Sequence, residues 1–164
     1  MIHPITLWPD DVLKKDCKKI DEINEDILSL AHDLLDTMYD SGGRGLAAPQ
    51  IGKPLRMFVM DCGWKLSGNR NATVMINPEI IGRSDDVATG TEACLSIPGI
   101  EAEVERSKEV TMRWTVPDAS ITIQRLTGAE AVCAQHECDH LEGRVIFDLL
   151  SDDARAKLEQ TYHS

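Results

Sequence analysis

The chain has 164 residues, enough for one domain with a buried core and no need of a disulfide or metal merely to fold. Apolar residues make up 42% and charged residues 27%, so it is neither a disordered nor a collagen-like chain. A net charge of −11 and only 4% aromatics argue against nucleic-acid and anionic-membrane partners. No run approaches the roughly 20 apolar residues of a membrane span. Met1-Ile2-His3-Pro4-Ile5 lacks the features of a secretory signal. The cysteines are Cys17, Cys62, Cys94, Cys133 and Cys138, an odd set read as reduced thiols of a cytoplasmic protein.

In chain order, the first element is a helix over residues 20–38. Ile20, Ile23, Ile27, Ala31, Leu34 and Met38 recur at spacings of three and four. Asp21, Glu22, Glu25 and Asp26 crowd its start, and Gly42 and Gly43 follow its end. Strands are expected at Arg56–Asp61 and at Thr73–Asn77, the second stopped by Pro78. Val110, Met112, Trp114 and Val116 alternate with polar residues, as do Ile121 and Ile123, with Pro117–Ser120 as the turn between them. A second helix runs from about Gly128 to Leu141 and ends at Gly143. This order implies an α+β fold, with short mixed or antiparallel sheets wrapped around a central helix. Nothing resembles a linker, so residues 1–164 are expected to form one catalytic domain.

That central helix carries His136-Glu137-Cys138-Asp139-His140. Residues four apart share a helix face about 6 Å apart, so both imidazoles can reach one metal. Glu137 lies one step round, placed to act on a metal-activated water. Ala129, Val132, Cys133, His136 and His140 form one stripe, which is expected to face the interior. Two histidines satisfied within an ordinary structural helix remain the plain alternative. A third ligand is wanted. One metalloprotease layout would require it at Ile146, which cannot bind metal. Another would use Glu159, which reads more simply as a solvated residue of the polar C-terminal stretch. Cys94, in Glu92-Ala93-Cys94-Leu95-Ser96, is a better ligand, although taken alone it reads as a small core residue. In Gly42-Gly43-Arg44-Gly45-Leu46-Ala47-Ala48-Pro49-Gln50, the glycines would let backbone approach a ligand, and Gln50 offers a neutral donor to an oxyanion. A helix stop and loop is the plainer reading of that segment.

Together, Gly43–Gln50, Glu92–Ser96 and Gln135–Leu141 closely resemble the three motifs of the peptide deformylases, in that family's order. The resemblance extends from Leu13 to about Leu150, with no long C-terminal helical extension expected. It implies Cys94, His136 and His140 as metal ligands and Glu137 as the general acid/base. Gln50 and the backbone N–H of Leu95 would hold the oxyanion, and Gly45 would bind the substrate backbone. Val132 and Cys133 are candidates for the pocket that takes the methionine side chain. Family members bind Fe²⁺ and accept Zn²⁺ or Ni²⁺. They release formate from N-formylmethionyl peptides on nascent chains, an activity compatible with work near the ribosome. Two departures stand out: Ala93 replaces a glycine, and Arg44 replaces an aliphatic residue beside the groove. They raise the alternative of a deformylase-like protein with reduced or altered activity.

Overall fold

Thr127 starts the central helix, α3 (Gly128–Leu141), in extended backbone. Gly143 follows its end at φ 74°. A Cβ at Gly143 would lie 2.5 Å from the Lys14 carbonyl oxygen, so only glycine lets the chain turn there. In the computed structural model, which describes residues 1–164, two sheets flank this helix.

The larger sheet contains β1 (Gly45–Ala47), β2 (Met57–Met60), β3 (Thr73–Arg83), β6 (Glu109–Thr115) and β7 (Ile121–Thr127), ordered β1-β2-β3-β6-β7. Every neighbouring pair is antiparallel. The smaller sheet is a hairpin of β4 (Val87–Cys94) and β5 (Ile97–Ser107). Ala131, Ala134 and Leu141 of α3 pack with Phe58, Met75 and Met112 of the larger sheet. Small residues on that side of α3 let helix and sheet approach closely.

The first long helix, α1, spans Glu25–Asp40 and so starts later than the periodicity suggests. Asn24 caps it by accepting from the Ile27 N–H at 3.0 Å, and an N-cap residue marks where helical backbone begins. Ile20 and Ile23 therefore precede the helix, yet both still join its core with Leu34, Met38 and Met57. The turn helix α2 (Trp64–Ser67) lies in the loop after β2.

Pro78 does not stop β3. The strand passes it through a register shift between Ile76 and Glu79, which accommodates the missing N–H. Asn77 takes the left-handed conformation there, with φ 49°. Its side chain accepts from the Ile20 N–H and donates to the Ile20 carbonyl, both at 2.8 Å. The polar C-terminal stretch forms a helix, α4 (Asp152–His163), capped by Ser151. Tyr162 of α4 donates to the Trp8 carbonyl at 2.7 Å, and both rings join a core with Phe147 and Ile97.

Candidate metal centre and cleft

β4 ends at Cys94, and Leu95 and Ser96 form the turn into β5. This turn brings the Cys94 thiol to the face of α3 that carries the histidines. Cys94 Sγ lies 3.4 Å from His140 Nε2. One ligand atom from each of Cys94, His136 and His140 falls within 4.8 Å of the others. Two imidazoles and a thiolate suit a divalent transition metal, and three protein ligands leave a position for reacting groups.

The side chains behind the ligands fix their orientation. His136 Nδ1 donates to Glu92 Oε1 at 3.0 Å, which turns Nε2 toward Cys94. Glu92 in turn receives two hydrogen bonds from Arg106, each 2.8 Å. Arg106 also donates to Asp139 at 2.6 Å. Burial opposes charge on Glu92, but the hydrogen bonds from Arg106 and His136 prevail and hold its carboxyl down at about 2. Burial likewise opposes charge on His136, yet Cys94 and Glu92 hold it well above the ordinary imidazole range. His140 goes the other way, pushed far down by burial and by the charges of His136 and Arg106. A neutral imidazole is the ligating form.

Glu137 sits beside these ligands, and its Oε1 has no hydrogen-bond partner in the protein. Burial pushes its carboxyl up to about 7. A Cβ on Gly45 would come within 2.7 Å of both Glu137 Oε2 and Cys133 Sγ, so glycine is what lets β1 lie against α3. Gln50 is held from both ends. Its Oε1 accepts from the Ala47 N–H at 2.9 Å, and its Nε2 donates to Ser96 Oγ at 3.1 Å and toward Cys94 Sγ at 3.7 Å.

A cleft of about 730 Å³ opens over this centre. Arg44, Gly45 and Gln50 come from the glycine-rich segment, and Cys94 and Leu95 from the hairpin. Val132, Cys133, His136 and Glu137 come from α3. The stripe of α3 read as facing the interior therefore faces the cleft: Ala129 is exposed, and Val132, Cys133 and His136 are half-buried. His140 alone of the stripe is fully buried, because it points beneath the hairpin end. Glu159 lies away on α4, 3.5 Å from Arg155, and shares nothing with the centre. That removes the endopeptidase layout. Sequence reasoning missed Arg106, Asp139 and Ser96 as supports. Glu92 had a signal, lying two residues before Cys94 and hence on the same face of a strand.

Cys, His and His around a cleft, with a buried carboxylate alongside, define a metal-dependent hydrolase. The polypeptide deformylase family model matches residues 2–156. A peptide deformylase of Agrobacterium fabrum is 43% identical over 150 residues, covering 92% of this chain and 88% of that one. A peptide deformylase of Alkalilimnicola ehrlichii is 41% identical over 159 residues, covering 97% and 88%. The crystal structure of a peptide deformylase from Legionella pneumophila superposes with a TM-score of 0.93 at 34% identity, covering 99% and 94%. The chain belongs to the polypeptide deformylase family. It is a metal-dependent hydrolase that removes the N-formyl group from newly made polypeptides.

Proposed function

We propose that residues 1–164 work as one catalytic domain, with Cys94, His136 and His140 holding a single divalent ion, Fe²⁺ in the native protein. Zn²⁺ or Ni²⁺ would also be accepted by the same two imidazoles and thiolate. When bound, the ion supplies Lewis acidity and lowers the pKa of a water molecule to about 7. Glu137 takes the proton of the attacking water at its free carboxylate oxygen and returns it to the departing amine. Gln50 Nε2 and the Leu95 backbone N–H donate to the oxyanion that develops on the formyl oxygen. Each such donor is worth about 2.7–4 kcal/mol. Gly45 presents backbone to the peptide, Arg44 lines the groove wall, and Val132 and Cys133 bound the pocket for the methionine side chain.

The observation that carries this assignment is the meeting of three ligand atoms within 4.8 Å beside a carboxylate with an unpartnered oxygen. The natural substrates are then N-formylmethionyl nascent chains, met in the cytoplasm near the ribosome. No helix is long and apolar enough to cross a membrane, which accords with that setting. Anaerobic purification, metal analysis and formate release from formyl-Met peptides test the reading. The expected result is one iron per chain, activity lost on chelation and restored by Fe²⁺. Full metal content after Cys94→Ala, with unchanged coordination by X-ray absorption, would remove Cys94 from the ligand set.

A further inference from the structure

A strap of residues 6–8 bonds to both segments that carry the oxyanion donors. The Thr6 N–H donates to the Gln50 carbonyl at 2.7 Å, and the Trp8 N–H donates to the Ser96 carbonyl at 2.9 Å. Exposed Leu7 stands between them. In extended backbone the N–H groups of residues two apart point the same way. The strap is anchored at each end. The His3 N–H donates to Thr37 Oγ1 of α1 at 3.0 Å, and Ile5 packs against the same core as Leu95. Trp8 is buried and meets Phe147 edge to face, with ring centroids 4.8 Å apart. Its carbonyl accepts from the Tyr162 hydroxyl at 2.7 Å. Trp8 is thus bonded through its N–H to the hairpin turn and through its carbonyl to α4. None of Thr6, Trp8 and Tyr162 lines the cleft.

This arrangement answers a need of the reaction. Two donors must converge on one oxygen, and they act best when already in place as charge develops there. Gln50 lies in the turn Ala48–Ile51 and Leu95 in the turn between β4 and β5, so they belong to separate elements whose spacing needs a brace. Gln50 Nε2 does bond to Ser96 Oγ at 3.1 Å, but it is the same nitrogen that serves the substrate. The strap grips the two segments by their carbonyls instead. It uses neither the Gln50 amide nor the Leu95 N–H.

We propose that Thr6, Trp8 and Tyr162 are positioning residues for the deformylation step. Thr6 and Trp8 brace the two donor segments against each other, and Tyr162 of α4 holds the brace. The proposal rests on the assignment of Gln50 and Leu95 as the oxyanion donors. The brace acts on the donors and not on substrate binding, so its loss slows turnover and spares affinity.

Amide hydrogen exchange, read by NMR on zinc-loaded wild-type protein, tests the brace itself. The Thr6 and Trp8 amides should exchange at least about tenfold more slowly than the Leu7 amide between them. Equal rates would overturn the proposal whatever any variant does. Steady-state kinetics test what the brace accomplishes. Tyr162→Phe keeps the ring and removes the donor to Trp8. It should keep its metal, lower kcat for formyl-Met peptides about three- to tenfold and leave KM within about twofold. Leu158→Ala trims the packing of the same helix against the same core but keeps that hydrogen bond. It should unfold at lower temperature with kcat within about twofold of wild type. An equal fall in kcat for both variants would mean general loosening and would overturn the positioning role. Gln50→Ala separates this inference from the assignment beneath it. It should cut kcat at least about 10²-fold, and in that background Tyr162→Phe should cost less than in wild type. An undiminished kcat in Gln50→Ala would remove the oxyanion assignment and the inference with it. A slow Gln50→Ala beside an unaffected Tyr162→Phe would overturn the role of the strap alone.

Discussion

Glu137 is the residue on which the chemistry depends most sharply. It is buried where it lines the cleft, has one unpartnered oxygen, and is raised by burial to about 7. Glu137→Gln keeps the shape but cannot accept a proton. The variant should retain metal and fold while formate release falls at least about 10²-fold. The base works as a carboxylate, so wild-type kcat/KM should fall as pH drops through its pKa. Positive charge nearby favours the charged form, so that midpoint should lie below about 7. A pH–rate profile of both proteins checks the assignment, which fails if the acid limb survives unchanged in the variant. Ala93 presents a simpler case. Its backbone is extended within β4, and the only residues other than glycine with positive φ are Asn77 and Ala119. The alanine is therefore unstrained, and Ala93→Gly should lower stability by roughly 0.5–1 kcal/mol with no gain in turnover. Thermal unfolding and kcat together test this, and a faster variant would mean that the Cβ does obstruct the site. At this scale the sequence was informative, since the i, i+4 histidines and Gln50 carry their chemistry in residue type and spacing. Arg106 was not visible, because an arginine in a half-polar strand looks like any solvated cation.

The element that supports the centre is the β4–β5 hairpin, and it brings buried charges with it. Glu92 on β4, Arg106 on β5 and Asp139 on α3 form one chain of ion pairs, with Glu92 and Arg106 side chains each only 7% exposed. Breaking such a pair from one side leaves the other charges desolvated. Arg106→Met should therefore destabilise the fold by about 3–5 kcal/mol at neutral pH. The pH dependence has a definite sign. In the wild type Glu92 is held down at about 2, below its ordinary 4.5. Its stabilising contribution is complete above the ordinary value and is lost as pH falls toward about 2. The difference between wild type and Arg106→Met should thus shrink as pH falls through that window. Denaturant unfolding at pH 7 and pH 3 measures it, and an equal difference at both would show that the lost stability is packing and not charge. This hairpin was also the least anticipated part of the fold. Ile100, Ala102 and Val104 are buried and alternate with Glu101, Glu103 and Glu105, a strand pattern present in the sequence. Gly99, with φ 80°, sits just before it and disguises the start of the run. By contrast, α3 matches its expected limits because Gly128 and Gly143 bracket it. The start of α1 was misplaced because Asn24 outweighs an apolar stripe that continues into the preceding loop.

Over the whole molecule, charge is distributed against the trend of the composition. The chain carries −11, yet the rim of the cleft presents Arg44 and Lys65. Both are exposed, and neither forms an ion pair within the protein. Arg44 stands between Gly43 and Gly45, whose backbones form the cleft wall, so a peptide lying in the cleft passes beside its guanidinium. Long-range repulsion from the acidic surface disfavours acidic substrates, whereas this local pair of cations favours them once bound. The local effect prevails at short range, since charges more than about 8 Å apart are largely screened at physiological ionic strength. Formyl-Met peptides with Asp soon after Met should therefore be turned over with higher kcat/KM than their Lys counterparts. Arg44→Ile should shrink that preference by roughly 0.5–1 kcal/mol, a factor of about two to five, as for a partly exposed charge pair. Added salt should shrink it in the wild type and matter less in the variant. Matched Asp and Lys peptides, assayed with both proteins at low and high ionic strength, give the four ratios needed. The same Asp-to-Lys ratio in wild type and Arg44→Ile would place the guanidinium outside the path of the substrate. A preference that persists in the variant but vanishes in salt would transfer the role to Lys65.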